Sequence, residues 1–160
     1  MTQEERNEQK QDLRYLEDLH VGQRFTAGPH VMEAERIREF AAEFDPQPFH
    51  MDEAAAEASV FKGLTASGWH TAAVGIKLMV ASDLRLAGGL IGFGGGLEWP
   101  RATRPGDVLR LESEILAITP SRSKPNQGVV TVRNVLLNQA DEPVYIFTGK
   151  ILAFRRAKTP

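Results

Sequence analysis

A chain of 160 residues with 42% hydrophobic content can bury one sizeable core and has no room for a second. Its net charge of −2, with acids and bases interspersed, marks no nucleic-acid or anionic-membrane surface, and the lack of cysteine excludes disulfides, thiol nucleophiles and cysteine-ligated metals. No run reaches the ~18 apolar residues of a spanning helix and the N-terminus has no apolar signal core, so a soluble, cytoplasmic protein is expected.

Residues 1–14 hold no apolar period and are expected to form a loose tail, with 15–160 as a single domain. Arg24-Phe25-Thr26 reads as a short strand ending near Gly28-Pro29. Glu35 to Phe44 has helical period through Ile37, Phe40, Ala41 and Phe44, without an obvious N-cap. Pro46 pushes Asp45 out of the α region, so this helix should stop there. Pro48 restrains Gln47 in turn, and two fixed proline angles leave the loop carrying Asp45 and His50 little freedom. A carboxylate and an imidazole held in this way can orient and deprotonate a water. Asp52 is the N-cap expected for a short helix, Glu53 to Ala58.

Ser67 caps the next helix, Gly68 to Ala81, which carries apolar residues on every face and should be buried on most sides. At about 14 residues and 1.5 Å each it spans ~21 Å, enough to cross a small sheet. Gly68, without a side chain, would leave its N–H accessible at the positive end of the helix dipole, a donor for developing negative charge. His70 reads as buried and hydrogen-bonded, and His20 and His30 as surface residues. The glycines from Gly88 to Gly96 fit no phosphate loop, because no strand precedes Gly92-Phe93-Gly94 in a βαβ unit and no helix follows. They read as a crossover or a glycine-weakened strand. Strands are expected at Leu97–Thr103, Val108–Ile118, Val129–Asn138 and Val144–Arg156, with Leu109, Leu111, Ile115 and Ala117 facing inward. One strand, then helices, then a strand meander is an α+β order.

The order Asp45-Pro46-Gln47-Pro48-Phe49-His50, then Ser67-Gly68 opening a long apolar helix, then Arg104-Pro105-Gly106-Asp107 leading into a strand, resembles the MaoC-like family of (R)-specific enoyl-CoA hydratases. The resemblance spans Asp18 to Arg156. It implies a hotdog fold, an antiparallel sheet of about five strands wrapped around a long central helix. It also implies that Asp45 and His50 activate water for addition to a trans-2-enoyl thioester and that the Gly68 N–H polarises the thioester carbonyl. Gln47, Ser67 and Trp69 become substrate-pocket candidates, with Trp69 limiting acyl size. No metal or other cofactor is implied. The partner is an acyl-CoA or acyl-carrier-protein thioester, and the expected assembly is a homodimer. Gln47 stands where the family usually has Asn, and Ser67 where many members have His.

Other chemistries fit less well. A zinc site from His50, Asp52 and His70 lacks dense ligand spacing, and Thr65-Ala66-Ser67-Gly68-Trp69 lacks both glycines of a hydrolase elbow. A hotdog thioesterase commonly uses a carboxylate on the buried helix, and Gly68 through Ser82 has none. A hotdog protein that binds an acyl thioester or a partner without turnover is the remaining alternative. Arg101, Arg104, Arg122 and Lys124 are candidates for carrier phosphates, with solvated surface bases as the default reading.

Overall fold

The computed structural model describes residues 13–157, so the expected tail through residue 12 lies outside them; Arg14, assigned to that tail, pairs its backbone with Arg85 and Ala87. Among the described residues, strands β1 (Arg24–Val31), β2 (Gly92–Glu98), β3 (Val108–Pro120), β4 (Gln127–Leu137) and β5 (Pro143–Phe154) form one sheet in the order β1-β3-β4-β5-β2. Every pairing is antiparallel. Helices α1 (Ala34–Phe44), α2 (Pro48–Met51), α3 (Glu53–Ala58) and α4 (Gly68–Ala81) all fall between β1 and β2, giving the expected α+β order.

Alternation along the three central strands puts matched rows of side chains under α4. Leu111, Leu136 and Tyr145 form one row, Ser113, Asn134 and Phe147 the next, and Ile115, Val132 and Gly149 a third. Onto them α4 presents Thr71, Val74, Gly75, Leu78 and Met79, all buried. The seating is close at Gly75, where a Cβ would stand 3.2 Å from the Tyr145 ring. The middle row places a polar pair in the core, where the Ser113 hydroxyl donates to the Asn134 carbonyl oxygen at 2.6 Å.

Several sequence expectations need correction. Strand β1 does not end at Gly28-Pro29 but runs through it, with a register shift between Ala27 and His30; Pro29 is tolerated because this is an edge strand. Strand β2 spans Gly92–Glu98, beginning before the expected Leu97 and ending before the expected Thr103. Its glycines, read as a crossover or a glycine-weakened strand, make the pairing close: a Cβ on Gly95 would sit 2.3 Å from the Thr148 carbonyl oxygen. Ala117 is exposed, because a register shift between Ile115 and Ala117 turns the following residues over and Ile118 becomes the inward one. Helix α4 is covered on one side only, leaving Ile76 at 54% and Val80 at 63% exposure. Pro48, read as stiffening a loop, starts a helical turn instead; its missing N–H costs nothing at that position.

Candidate active site

The α1 helix ends where Pro46 requires it to, with Asp45 in a non-helical conformation and its N–H donating to the Ala41 carbonyl. The α2 turn then lifts His50 back over Asp45, bringing His50 Nε2 to 3.3 Å from Asp45 Oδ2. His50 is 5% exposed, and its Nδ1 lies 2.6 Å from the Thr65 carbonyl oxygen. A carbonyl can only accept, so Nδ1 carries a proton, and Nε2 is the nitrogen that faces the carboxylate.

The carboxylate is held at both oxygens. Gln47 Nε2 donates to Oδ1 at 2.6 Å, and the Ser67 hydroxyl donates to Oδ2 at 2.7 Å. Burial pushes the Asp45 pKa up, yet hydrogen bonds from Ser67 and Gln47 and the charge of nearby His50 outweigh it and hold the group below its usual 3.8. Asp45 is therefore ionised throughout the neutral range.

Ser67 also accepts from the Trp69 N–H at 3.2 Å, so one hydroxyl caps α4 and ties that cap to Asp45. Being fully buried, Ser67 positions the carboxylate and is not a pocket wall as expected. Gln47 does line the cavity, and one of its amide N–H groups is given to Asp45. A cavity of 330 Å³ opens beside the pair, bounded by Asp45, His50, Gly68, Trp69, Thr65 and Trp99 among others. The Gly68 N–H has no acceptor among the described residues, while Trp99 Nε1 donates to the Gly68 carbonyl at 3.0 Å. The absent side chain matters for packing too, since a Cβ on Gly68 would meet the Trp99 ring at 2.7 Å. Trp69 meets the same ring edge-on at 5.5 Å and is 58% exposed.

Three supports were not legible in the sequence. Thr65 acts through its backbone carbonyl, which carries no residue signature. Trp99 gave no signal at the end of a glycine-rich strand. Arg104, a candidate for carrier phosphates, instead donates to the carbonyls of Phe61, Gly63 at 2.8 Å and Leu64 at 3.3 Å, clamping the segment that delivers Thr65. Asp107 holds the turn closed by accepting from the Arg104 N–H at 2.7 Å. Arg101 lines the cavity and pairs with Glu142 at 3.5 Å. Arg122 and Lys124 sit past the end of the 13-residue strand β3 opposite to Arg101.

The other histidine points away. His70 stacks on Phe40 with centroids 4.7 Å apart, and its buried Nδ1 has no partner, contrary to the expected hydrogen bond. It lines a separate groove of 710 Å³ together with His30. Asp52 caps α3, accepting from the Ala55 N–H at 2.7 Å. The three side chains considered for zinc thus serve three separate tasks.

Asp45 and His50 thus meet beside the unpaired N–H of a helix start, at one side of a five-stranded sheet. The family described as "FAS1-like, dehydratase domain region" matches residues 19–147. The chain belongs to this hydratase and dehydratase family, of the MaoC-like hotdog type. A MaoC-like dehydratase from Rhodospirillum rubrum is 54% identical, with 91% of this chain and 99% of that one covered and a TM-score of 0.88. The R-hydratase PhaJ1 of Pseudomonas aeruginosa is 28% identical over 91% of this chain and 93% of its own, with a TM-score of 0.70. The Bacillus subtilis protein YdeM, uncharacterised, is 31% identical over 140 residues, covering 85% of this chain and 94% of its own.

Proposed function

We propose that the protein catalyses (R)-specific hydration of trans-2-enoyl thioesters, or the reverse dehydration of 3-hydroxyacyl thioesters, with Asp45 and His50 as the catalytic residues. The observation that carries this reading is the approach of His50 Nε2 to Asp45 Oδ2, 3.3 Å apart at the wall of a cavity. With Nε2 unprotonated, the imidazole and the carboxylate can both accept from a single water, which then turns a lone pair toward the substrate. As the water oxygen bonds to the β-carbon, its proton passes to Nε2. The π electrons move through the α-carbon onto the thioester oxygen, where the Gly68 N–H stabilises the enolate. The imidazolium, held beside the ionised carboxylate, then returns a proton to the α-carbon, and the second water hydrogen stays on the new hydroxyl.

Trp69 bounds the cavity and limits the acyl group. The carrier is coenzyme A or acyl-carrier protein, and a CoA substrate fits a cytoplasmic setting. A homodimer is supported by the fully unpaired outer side of β2, where Phe93 is 58% exposed, and by Ile76 and Val80 on the uncovered side of α4. A single species of monomer mass at micromolar concentration in sedimentation would remove the dimer.

The test is a hydration assay with crotonyl-CoA and longer or branched trans-2-enoyl-CoAs, followed by loss of the conjugated absorbance. Turnover by the wild type supports the reading. A folded protein that binds these thioesters without converting any of them would make it an acyl-thioester-binding hotdog protein, and release of free CoA would make it a thioesterase.

A further inference from the structure

Behind Trp69 lies a second cavity, of 270 Å³, between α4 and the sheet. Trp69 lines both spaces, so the two adjoin at this residue. The chamber is small against the usual ~300–1,000 Å³ of ligand pockets, which suits a short chain. Ile76, Met79, Leu97 and Phe147 make its lining mostly apolar.

Two of its lining residues break that pattern. Tyr145 is 6% exposed, and its hydroxyl has no hydrogen-bond partner among the described residues. Asn134 is 5% exposed; its carbonyl oxygen accepts from Ser113, but its amide nitrogen has only the Met79 sulfur, at 3.2 Å. A thioether is a weak acceptor, and one amide hydrogen remains unused. Asn134 stands opposite Phe147 and Tyr145 opposite Leu136, so the two polar groups are diagonal neighbours on one face of adjacent strands. Neither donor is committed to a strong acceptor of the protein, so both remain free to bind an oxygen in the chamber. Phe and Leu at these positions would give a better hydrocarbon pocket.

We infer that the chamber behind Trp69 receives an acyl chain bearing an uncharged oxygen, a hydroxyl or a ketone, which accepts hydrogen bonds from Tyr145 and Asn134. This deepens the proposed function and rests on it for the placement of the thioester. Burial pushes the Tyr145 pKa up to about 12, so the phenol remains a donor at neutral pH. A carboxylate-tipped chain is excluded from the class because no Lys or Arg lines the chamber to pair with it.

The experiment compares six-carbon trans-2-enoyl-CoAs: the plain chain, chains with a hydroxyl or keto oxygen near the far end, and the dicarboxylic analogue. Wild type and Tyr145→Phe are assayed for hydration. In parallel, the saturated thioesters, which cannot react, are titrated calorimetrically. The better oxygenated chain should exceed the plain chain about tenfold in kcat/KM and in affinity, and Tyr145→Phe should lower that ratio by a similar factor. A wild-type ratio at or below one, or the same ratio in both proteins, overturns the inference even when hydration itself is brisk. Preferential binding of the oxygenated saturated chain without any turnover would uphold the chamber's selectivity and refute the hydratase reading. Preference for the dicarboxylic chain would overturn the choice of an uncharged group. The wild-type ratio decides the matter if Tyr145→Phe fails to fold.

Discussion

His50 has a partner for each ring nitrogen, the Thr65 carbonyl at 2.6 Å and the Asp45 carboxylate at 3.3 Å. His70, on the other side of the α4 start, is stacked on Phe40 and has a buried Nδ1 with no partner. Its pKa is lowered, chiefly by burial and then by His30. Both rings are partly or wholly removed from water, so burial alone does not distinguish them. The difference is that His50 has its tautomer fixed by an acceptor on one side and meets an ionised acid on the other. That acid is itself fixed by two donors, whereas His70 is packed as an aromatic ring. An imidazole becomes a usable base when its proton has an assigned place.

This contrast can be broken most severely at the acid. Asp45→Ala should lower kcat by about 100- to 10,000-fold while thioester binding persists, as titration with a saturated acyl-CoA would show. Undiminished turnover would mean that the pair is structural. Gly68→Ala forces the Trp99 ring to move, since the new Cβ would lie 2.7 Å from it, and displaces the helix start. A fall in kcat/KM on the order of 100-fold is expected, matching the cost of misplacing a positioned group by about 1 Å.

Ser67→Ala removes a helix cap and one donor to Asp45, and should cost about 1 kcal/mol in chemical denaturation. It also bears on acid stability. The folded pKa of Asp45 lies below 3.8, so its contribution is complete above that value and is lost as pH falls through the folded pKa. Removing the Ser67 hydrogen bond raises the folded pKa, and acid unfolding should begin at higher pH.

The smallest effect belongs to the other histidine. His70→Phe keeps the stack on Phe40 and should leave turnover within about twofold. Its folded pKa lies below 6.5, so as pH falls past 6.5 the unfolded chain takes up a proton first and the wild type loses stability. The Phe variant should lose less over the same range, readable from melting temperatures at neutral and mildly acidic pH. A large activity loss in His70→Phe would erase the distinction between the two rings.

Much of this arrangement is visible in the chain because it is written in local rules. Pro46 ends α1 at Asp45, Asp52 caps α3, Ser67 caps α4, and the bounds Gly68–Ala81 follow from the cap and the apolar run. What escaped is non-local or carried by backbone. The Thr65 carbonyl could belong to any residue, and Arg104 reads as a surface base until the fold brings three carbonyls to it. Propensity misplaced β2 because its glycines serve a close approach to β5 that only the pairing of Gly95 with Gly149 reveals. The uncovered side of α4 was misread because an apolar helix face looks the same in sequence whether its own sheet or another surface covers it.

In the proposed reaction one carboxylate and one imidazole, acting from a single side of the substrate, supply both the water and the proton. Hydration of crotonyl-CoA in deuterated water, with the product examined by NMR, tests it directly. The account predicts one deuterium at the α-carbon, on the same face as the new hydroxyl, in the (R)-3-hydroxy product. Addition from opposite faces would require a proton donor elsewhere in the protein and would contradict the shared role of Asp45 and His50.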